Sequence, residues 1–407
     1  MVAPAALGLV IGSVIYTVGF PPALPPWLAW LNGFIAVLSI PRAIELLLLF
    51  PLPELKRVQR LDVLTIPIYS WESLPPRFTV QRAAWILDLT YNIRGIGWSH
   101  GPQHRLPPAT SFVGKNNRPR MVLPNPKKGE VERDTQITSR AGQAKWLRRR
   151  LARTLLAYVY IDTFQHFSQG RFPAYWAHCQ MTLQEGLPGW AAWGLIEALR
   201  MVHSLLLALC IPAMIVFTDG MIMMVMVGVL GHGRVGTWGE PWMYPSMFGS
   251  VVSLLQMDFH GIWGEWWHSL FRRNFANLVA AVATMTGLER FEGLLLVWMT
   301  FILSALMHAA AVYAVVPHTQ ATFLVALNYL AQPPVIFLQT AIKAIPCRRF
   351  GRGESSAAIN KALLQTALGL VFYYCTFAWL TDSPGFRAFA QTLPIPVSLW
   401  RMVQGNK

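Results

Sequence analysis

The sequence predicts an all-α polytopic membrane protein, and three observations carry this prediction. Hydrophobic residues make up 54% of the 407 residues and charged residues only 13%, about half the charged share of a soluble domain. Several apolar stretches reach the length of about 20 residues that a helix needs to cross a bilayer. Tryptophan occurs 17 times, and this side chain favours the headgroup level of a membrane. Counted by apolar length, the chain contains roughly seven to ten transmembrane helices.

Residues 1–50 are predicted to form two N-terminal transmembrane helices. Val2–Phe20 and Trp27–Phe50 are apolar and are separated by a proline-rich turn. The first basic residue is Arg42, so the first stretch lacks the basic start of a signal peptide and is expected to be a retained span. Arg42 and Glu45 lie near the end of the second span, where long charged side chains can reach the membrane surface or pair with each other.

Residues 51–150 form a predicted basic cytosolic insertion with amphipathic segments. Between Lys115 and Arg153, twelve Lys or Arg residues stand against three acidic residues, and the whole chain has a formal charge of +15. A solvated loop that follows the positive-inside bias explains this charge, and attraction to anionic lipid heads or to cofactor phosphates is compatible with it. Nucleic-acid binding is not expected, because Trp146 alone is aromatic within the basic run. Trp85–Leu89 is apolar enough to lie on a surface and too short to span.

Residues 151–407 are predicted to hold the transmembrane core. The clearest spans are Leu294–Val316, Ala321–Ile345 and Ala362–Leu380. Further apolar pieces are Leu151–Phe167, which contains Asp162, and Trp190–Phe217, Ile222–Leu230 and Asn277–Gly287. No internal repeat is visible, which disfavours a transporter built from inverted repeats. The four cysteines are not at metal-ligand spacing, so neither a disulfide framework nor a zinc site is predicted.

An ionisable residue, His308, lies about two-thirds along the apolar stretch Leu294–Val316. A histidine at this depth is costly in a membrane and is therefore a candidate functional residue. Ser304 is four residues earlier, on the same helix face, and could hold or orient the ring. The alternative is a histidine satisfied by a neighbouring helix, with Ser304 and Ala305 serving close helix packing.

The second candidate site is an aromatic and charged cluster between Phe259 and Arg273. It contains three tryptophans, one glutamate, two histidines and two arginines within fifteen residues. Its candidate site residues are Trp263, Trp266, Trp267, His268, Arg272 and Arg273. One interpretation is an interfacial aromatic belt with arginine anchors. The other places His268 at a reaction chamber and the two arginines where a phosphorylated donor enters.

Four segments in the same order resemble the wax-synthase-like branch of the membrane-bound O-acyltransferase (MBOAT) superfamily. Trp263-Gly-Glu-Trp-Trp-His268 is similar to that branch's Phe-Trp-Gly-x-x-Trp-His/Asn signature, and the segment Pro245–Ser250 to the Pro-x-Phe-Gly-Ser sequence before it. Arg94–Gly97 resembles its Arg-Gly-Ile-Gly element, and His308 the superfamily's intramembrane histidine. The resemblance covers roughly residues 85–320. Two departures are Ile262, where Phe is usual before Trp-Gly, and Glu265, where Arg is common.

The resemblance implies spans around an internal reaction chamber and transfer of an acyl group from coenzyme A to an alcohol. An alcohol is a poor nucleophile at neutral pH and needs a base within reach. An apolar span disfavours the charged imidazole, so His308 is expected to deprotonate the acceptor hydroxyl. His268 is expected to orient the acyl carbonyl or stabilise the oxyanion.

The resemblance also suggests how the two substrates are bound. No cofactor is expected to be bound permanently, and acetyl-CoA or another acyl-CoA is the expected co-substrate. Arg94, Arg272 and Arg273 are the candidates for contacting its phosphates. Trp263, Trp266 and Trp267 are expected to line the side that faces a lipophilic alcohol, such as a terpenoid natural product, that enters from the lipid bilayer. The expected location is the endoplasmic reticulum membrane.

Three alternatives remain open at the level of the sequence. Within the enzyme class, the chain could be a long-chain wax or sterol ester synthase, because the length of the acyl chain is inferred only from what is common in the resembled family. From another class, a membrane transporter would place His308 and Asp162 along a path. In a membrane scaffold or an inactive relative, neither His308 nor Asp162 would have a functional role. The sequence leaves the acceptor, the oligomeric state and the exact topology undetermined.

Overall fold

The structure is a computed structural model, and it describes residues 2–61, 68–77, 79–102, 105–107, 140–169, 172–267, 269–317, 319–346, 354–378 and 398–403. Its longer helices are α1 Val2–Gly19, α2 Pro26–Ile44, α3 Val80–Tyr91, α4 Arg140–Gln169, α5 Phe172–Gly186 and α6 Gly189–Met223. After three short helices, α7 His232–Val235, α8 Val252–Leu255 and α9 Phe259–Gly261, come α10 Arg272–Thr286, α11 Glu292–Val315, α12 Gln320–Leu330, α13 Gln332–Ala344, α14 Glu354–Tyr373 and α15 Leu399–Val403.

The all-α membrane fold predicted from composition is confirmed. Within the described residues, the helices that are long and apolar enough to cross a membrane are Pro26–Leu49, Gly189–Leu230, Glu289–Val315 and Gln320–Ala344, and Ala3–Gly19 is a shorter apolar helix. This number is below the seven to ten predicted from apolar length. One reason is that the two predicted pieces Trp190–Phe217 and Ile222–Leu230 form a single helix, which ends in a π-helical turn, Met224–Leu230.

The predicted break in that helix at Thr218-Asp219-Gly220 does not occur. In a membrane the backbone must satisfy its own hydrogen bonds, which favours a continuous helix over a loop. Burial of the Asp219 carboxylate is costly, and attraction to Arg94 and Arg150 offsets part of that cost. Asp162, in the predicted piece Leu151–Phe167, is buried in α4. Its Oδ2 accepts a hydrogen bond of 2.8 Å from the backbone N–H of Leu399 in α15, so the buried carboxylate has a polar partner.

The N-terminal helices and the later spans form one packed bundle. Helix α2 packs between α1 and α11, α11 packs on α12, and α4 packs along α6. The largest group of buried hydrophobic side chains lies between α11, α12 and α13, and includes Phe301, Val312, Tyr329 and Ile336. A second group joins α2, α10 and α11. The core that surrounds α11 is therefore contributed by both ends of the chain.

The described part of the insertion contains two antiparallel strands that the sequence analysis did not predict. Strand β1, Lys56–Leu61, pairs with β2, Ile68–Ser73, with Val58 opposite Trp71. The alternation of apolar and polar residues along β1 is weak. Its other residues include the polar Lys56, Arg57, Gln59 and Arg60, and Val58 is its single fully buried side chain. Its stability comes from long-range partners: the Val58 N–H donates to the carbonyl of Gly97 at 2.7 Å. The division into 1–50, 51–150 and 151–407 stays a prediction.

Candidate active site

The imidazole of His308 is held by its own helix. Its Nδ1 lies 2.8 Å from the main-chain carbonyl oxygen of Ser304, one turn earlier in α11. A carbonyl oxygen can only accept a hydrogen bond, so Nδ1 carries the proton and Nε2 carries the lone pair. The Ser304 contact expected from the spacing is therefore made by the main chain and not by the hydroxyl. An imidazole in this tautomer is arranged to accept a proton at Nε2.

Aromatic side chains from two other helices surround this ring. Tyr329 of α12 stacks on it, with ring centroids 4.2 Å apart and planes 27° apart. Phe34 and Trp30 of α2 present edge-on contacts at 5.1 and 6.0 Å. The His308 side chain is half-buried. These contacts fix the plane of the imidazole in apolar surroundings, which favour a neutral base.

A close approach of α2 to α11 brings Phe34 onto the histidine. A Cβ atom placed at Gly33 would lie 2.5 Å from the carbonyl oxygen of Ala310, so the glycine is required for this packing. Ala311, opposite, is fully buried. Small residues are the usual means by which membrane helices approach each other closely. The N-terminal span therefore forms one wall of the site.

The two neighbouring resemblance segments, 245–250 and 263–268, are joined through their backbones. The N–H of Gly249 donates to the carbonyl of Trp266 at 3.0 Å, and the N–H of Ser269 donates to the carbonyl of Met247 at 3.0 Å. The tryptophan segment itself follows α9 as a π-helical turn, Ile262–Trp266. A side chain at Gly249 would collide with the main chain of Glu265. The glycine therefore permits this pairing.

The first tryptophan of the cluster connects this segment to the histidine. Trp263 donates from Nε1 to Oε1 of Gln332 at 2.9 Å. Its ring centroid is 6.3 Å from that of Tyr329, which stacks on His308, and 5.4 Å from that of Trp267. Trp263, Tyr329 and His308 thus form a continuous series of ring contacts. Trp266 differs from Trp263 and Trp267, because it is buried; both Trp266 and Trp267 pack on Phe248.

Beside Trp267 lies a cleft of about 410 Å³, which we call the basic cleft. It is lined by Arg105, Trp146, Arg149, Arg150, Arg153, Ser246, Met247, Phe248, Gly249, Ser250, Glu265, Trp267, Ser269 and Arg272. Five of these side chains are arginines and one is acidic. Arginine is the side chain best suited to binding phosphate groups with paired hydrogen bonds. The cleft is thus suited to a multiply phosphorylated ligand.

The three arginines predicted to contact coenzyme A have different positions. Arg272 lines the basic cleft. Arg94 does not; it donates to the carbonyls of Pro245 and Ser246 at 3.1 and 3.3 Å and to the Ser269 hydroxyl at 3.0 Å. Burial lowers the pKa of Arg94 to about 10, and it remains a cation at neutral pH. Arg94 therefore supports the two backbone segments that line the cleft.

Arg273 is turned away from Arg272 and forms a buried ion pair with Glu45 at the end of the second span. Its Nη2 also donates to the Ile93 carbonyl at 3.1 Å. The Glu45 carboxylate accepts a further hydrogen bond from Asn277 at 2.9 Å. The side chains of Arg273 and Glu45 are 5% and 1% exposed. The contacts of Arg273 thus join α10 to the end of α2, away from the basic cleft.

His268, the other predicted catalytic residue, lies outside the described residues. The residues on either side of it, Trp267 and Ser269, both line the basic cleft. Sequence reasoning missed Tyr329, Phe34 and Arg150. Arg150 lay within the basic run that suggested phosphate binding, whereas Tyr329 and Phe34 gave no signal, because their contacts with His308 are long-range. Among the described residues, no group of three or more His, Cys, Asp or Glu side chains could hold a metal ion.

The comparison with protein families gives a match in the second half of the chain. Residues 244–327 match the model of the membrane bound O-acyl transferase family. The matched segment contains the tryptophan cluster, the histidine of α11 and most of α12, whereas Tyr329, the α2 wall and four of the five cleft arginines lie outside it. No curated protein and no solved structure gives a significant match. The family match supports a membrane acyltransferase of this superfamily.

Proposed function

We propose that this protein transfers an acyl group from coenzyme A to the hydroxyl of a lipophilic acceptor, with His308 as the general base. One observation carries the proposal. The Nδ1–Ser304 contact assigns the lone pair to Nε2, in a ring that aromatic contacts connect to the arginine-lined cleft. The site therefore combines a neutral base in a membrane span with a place for a phosphorylated donor.

The proposed reaction moves one proton in and out of the imidazole. Nε2 takes the proton of the acceptor hydroxyl as its oxygen attacks the thioester carbonyl carbon. The C–S bond then breaks, and the departing thiolate takes the proton back from Nε2. The products are an ester and free coenzyme A. During attack the imidazole is a cation, and the Ser304 carbonyl stabilises it by accepting a hydrogen bond from Nδ1.

The basic cleft is the proposed binding site of the donor's phosphates. Arg105, Arg150 and Arg272 approach it from three different segments of the chain. The thioester end would extend from Trp267 past Trp263 towards His308, along the series of ring contacts. His268 would orient the acyl carbonyl. In this arrangement the donor phosphates remain outside the apolar region, where burying them would be costly.

The acceptor would reach His308 from the lipid. Trp30 and Phe34 belong to a membrane-spanning helix and contact the histidine directly, whereas Trp263 is connected to it through Tyr329 of α12. We propose acetyl as the acyl group and a terpenoid-like alcohol as the acceptor, in the endoplasmic reticulum membrane. These finer assignments rest on the resemblance to wax-synthase-like enzymes.

A transfer assay tests this function. Membranes containing the protein are incubated with acetyl-CoA labelled in the acetyl group, or with a labelled long-chain acyl-CoA, and with a panel of lipophilic alcohols. The expected result is label in an extractable ester, with acetyl preferred over the long chain. Membranes containing the variant His308→Ala at an equal protein level should form at least about 100-fold less ester. Label that stays on coenzyme A with every acceptor, while the protein is folded, would overturn the proposal.

A further inference from the structure

Helix α3 in the polar insertion buries one side and exposes the other. Trp85 and Leu89 are buried, and pack with Leu46 and Phe50 at the end of the α2 span. Arg42, in the same span, donates a hydrogen bond to the carbonyl oxygen of Leu89. The helix is therefore fixed against the end of a transmembrane segment by both apolar and polar contacts.

The outward side of α3 is apolar and bears no charge. Val80, Leu87 and Tyr91 are 89%, 55% and 72% exposed, and their spacing places them on one side of the helix. The other exposed positions are Gln81, Ala83, Ala84, Ile86 and Thr90. A helix that faces water normally carries charged residues on its outer side. This side therefore has the composition of a surface that contacts lipid.

The two charged side chains of α3 point elsewhere. Arg82 donates from Nη1 to the carbonyl of Pro75 at 2.8 Å, in the segment that leads into the helix. Asp88 is buried and lies 3.3 Å from the guanidinium of Arg57 on β1. Both charges are thus directed towards the rest of the insertion, and the outward side is left without one.

The length of the α2 span places α3 near the edge of the hydrocarbon. Pro26–Leu49 has 24 residues, which at about 1.5 Å each give roughly 36 Å. The hydrocarbon core of a bilayer is about 30 Å thick. Leu46 and Phe50, the residues that α3 touches, are therefore at the boundary between acyl chains and headgroups. Leu48 and Leu52, 50% and 40% exposed beside them, extend the apolar surface of the span to this level.

We propose that α3 lies on the membrane surface, with Val80, Leu87 and Tyr91 inserted between phospholipids at the boundary of headgroups and acyl chains. Tyr91, the last residue of α3, is three positions before Arg94, which bonds to the backbone that lines the basic cleft. The lipid contact of α3 therefore sets the depth of the basic cleft relative to the bilayer. The lipid contact itself does not depend on the proposed reaction.

Fluorescence quenching in lipid nanodiscs tests this proposal. The variant Leu87→Cys is labelled with an environment-sensitive fluorophore in full-length protein, and Tyr91→Cys serves as a second position on the same side. Gln59→Cys, on the exposed side of β1, is the matched control. Each labelled protein is titrated with aqueous iodide and, in separate discs, with lipids brominated near the top of the acyl chain.

The proposal predicts a blue-shifted emission and loss of most of the signal with brominated lipids at positions 87 and 91, with protection from iodide. The label at position 59 should respond to iodide alone. Quenching of positions 87 and 91 by iodide alone would show a water-facing helix and overturn the proposal. Protection from both quenchers would indicate a second copy or another protein on this side, and would also overturn it.

Discussion

His308 and Tyr329 stack with their ring centroids 4.2 Å apart, although they belong to different helices. The hydrogen bond from Nδ1 to the Ser304 carbonyl fixes one edge of the imidazole, and the tyrosine ring fixes its plane. Together the two contacts determine the direction in which Nε2 points. The orientation of the proposed base thus depends on how α12 packs against α11.

The variant Tyr329→Ala should lower kcat by about 10- to 100-fold, because a base misplaced by about 1 Å transfers protons poorly. The KM for acyl-CoA should change little, since Tyr329 does not line the basic cleft. Tyr329→Phe preserves the stacked ring and should restore most of kcat. Steady-state kinetics of both variants make the test, and an equal loss in both would assign the effect to the hydroxyl instead of the stacking.

The variant Arg272→Ala should raise the KM for acyl-CoA by about tenfold, the effect of losing one hydrogen bond between charged groups. The kcat should remain near the wild-type value, because Arg272 lies in the basic cleft and not beside His308. Added salt should reduce the difference between variant and wild type, because salt screens charges near solvent. An unchanged KM at low ionic strength would remove Arg272 from the donor site.

The adjacent substitution Arg273→Ala provides a contrast. It leaves the buried Glu45 carboxylate with Arg42 as its remaining ion-pair partner, so the loss of stability should be smaller than the about 3–5 kcal/mol of a buried pair broken outright. We expect a lower melting temperature in detergent and a lower yield, with a normal KM in the protein that folds. A raised KM with unchanged melting temperature would place Arg273 in the donor site, as the sequence first suggested.

His100 should make the protein less stable in acid. It is 3% exposed, and neither ring nitrogen has a hydrogen-bond partner among the described residues. Burial, with the nearby cations Arg273 and Arg42, holds the pKa of His100 well below its usual value of 6.5. Below pH 6.5 the unfolded chain therefore binds a proton that the folded protein does not, and stability falls with decreasing pH.

The melting temperature measured between pH 7.5 and pH 5 tests this effect. The variant His100→Phe keeps a ring beside Phe50 and Trp98 and should lose less stability over this range than the wild type. The replacement of His178, an exposed histidine of α5, by Phe is the control and should follow the wild type. Identical acid curves for wild type and His100→Phe would show that His100 does not titrate on unfolding.

Local pattern predicted much of the fold. Apolar length gave α1, the span Pro26–Leu49 and α11 to within about two residues at each end, because a membrane span must satisfy its backbone internally and so ends where the apolar run ends. It failed at Asp219, where one helix continues through a polar triplet and the distant Arg94 and Arg150 offset part of the cost of burying the carboxylate. It also gave no indication of β1 and β2, whose stability depends on partners around Gly97 and Trp98.

The candidate site shows the same limit. Helical spacing correctly predicted that Ser304 contacts His308. It did not predict that the main-chain carbonyl of Ser304, and not its hydroxyl, makes the contact. Arg272 and Arg273 appear equivalent in the sequence. Arg272 points to the basic cleft and Arg273 to a buried carboxylate, because consecutive residues of a helix face different directions. The aromatic residues around His308 are Trp30 and Phe34, near the start of the chain, and Tyr329, on the next long helix. No local sequence pattern predicts contacts between residues so far apart.

In the proposed reaction, Nε2 of His308 removes the proton of the acceptor hydroxyl. The most direct measurement is the rate of ester formation by His308→Ala in membranes, at equal protein level, with and without added imidazole, beside His178→Ala as control. We predict a loss of about 10²- to 10⁴-fold for His308→Ala, partial recovery with imidazole, and no loss for the control. Ester formation by His308→Ala at the wild-type rate without imidazole would contradict the claim.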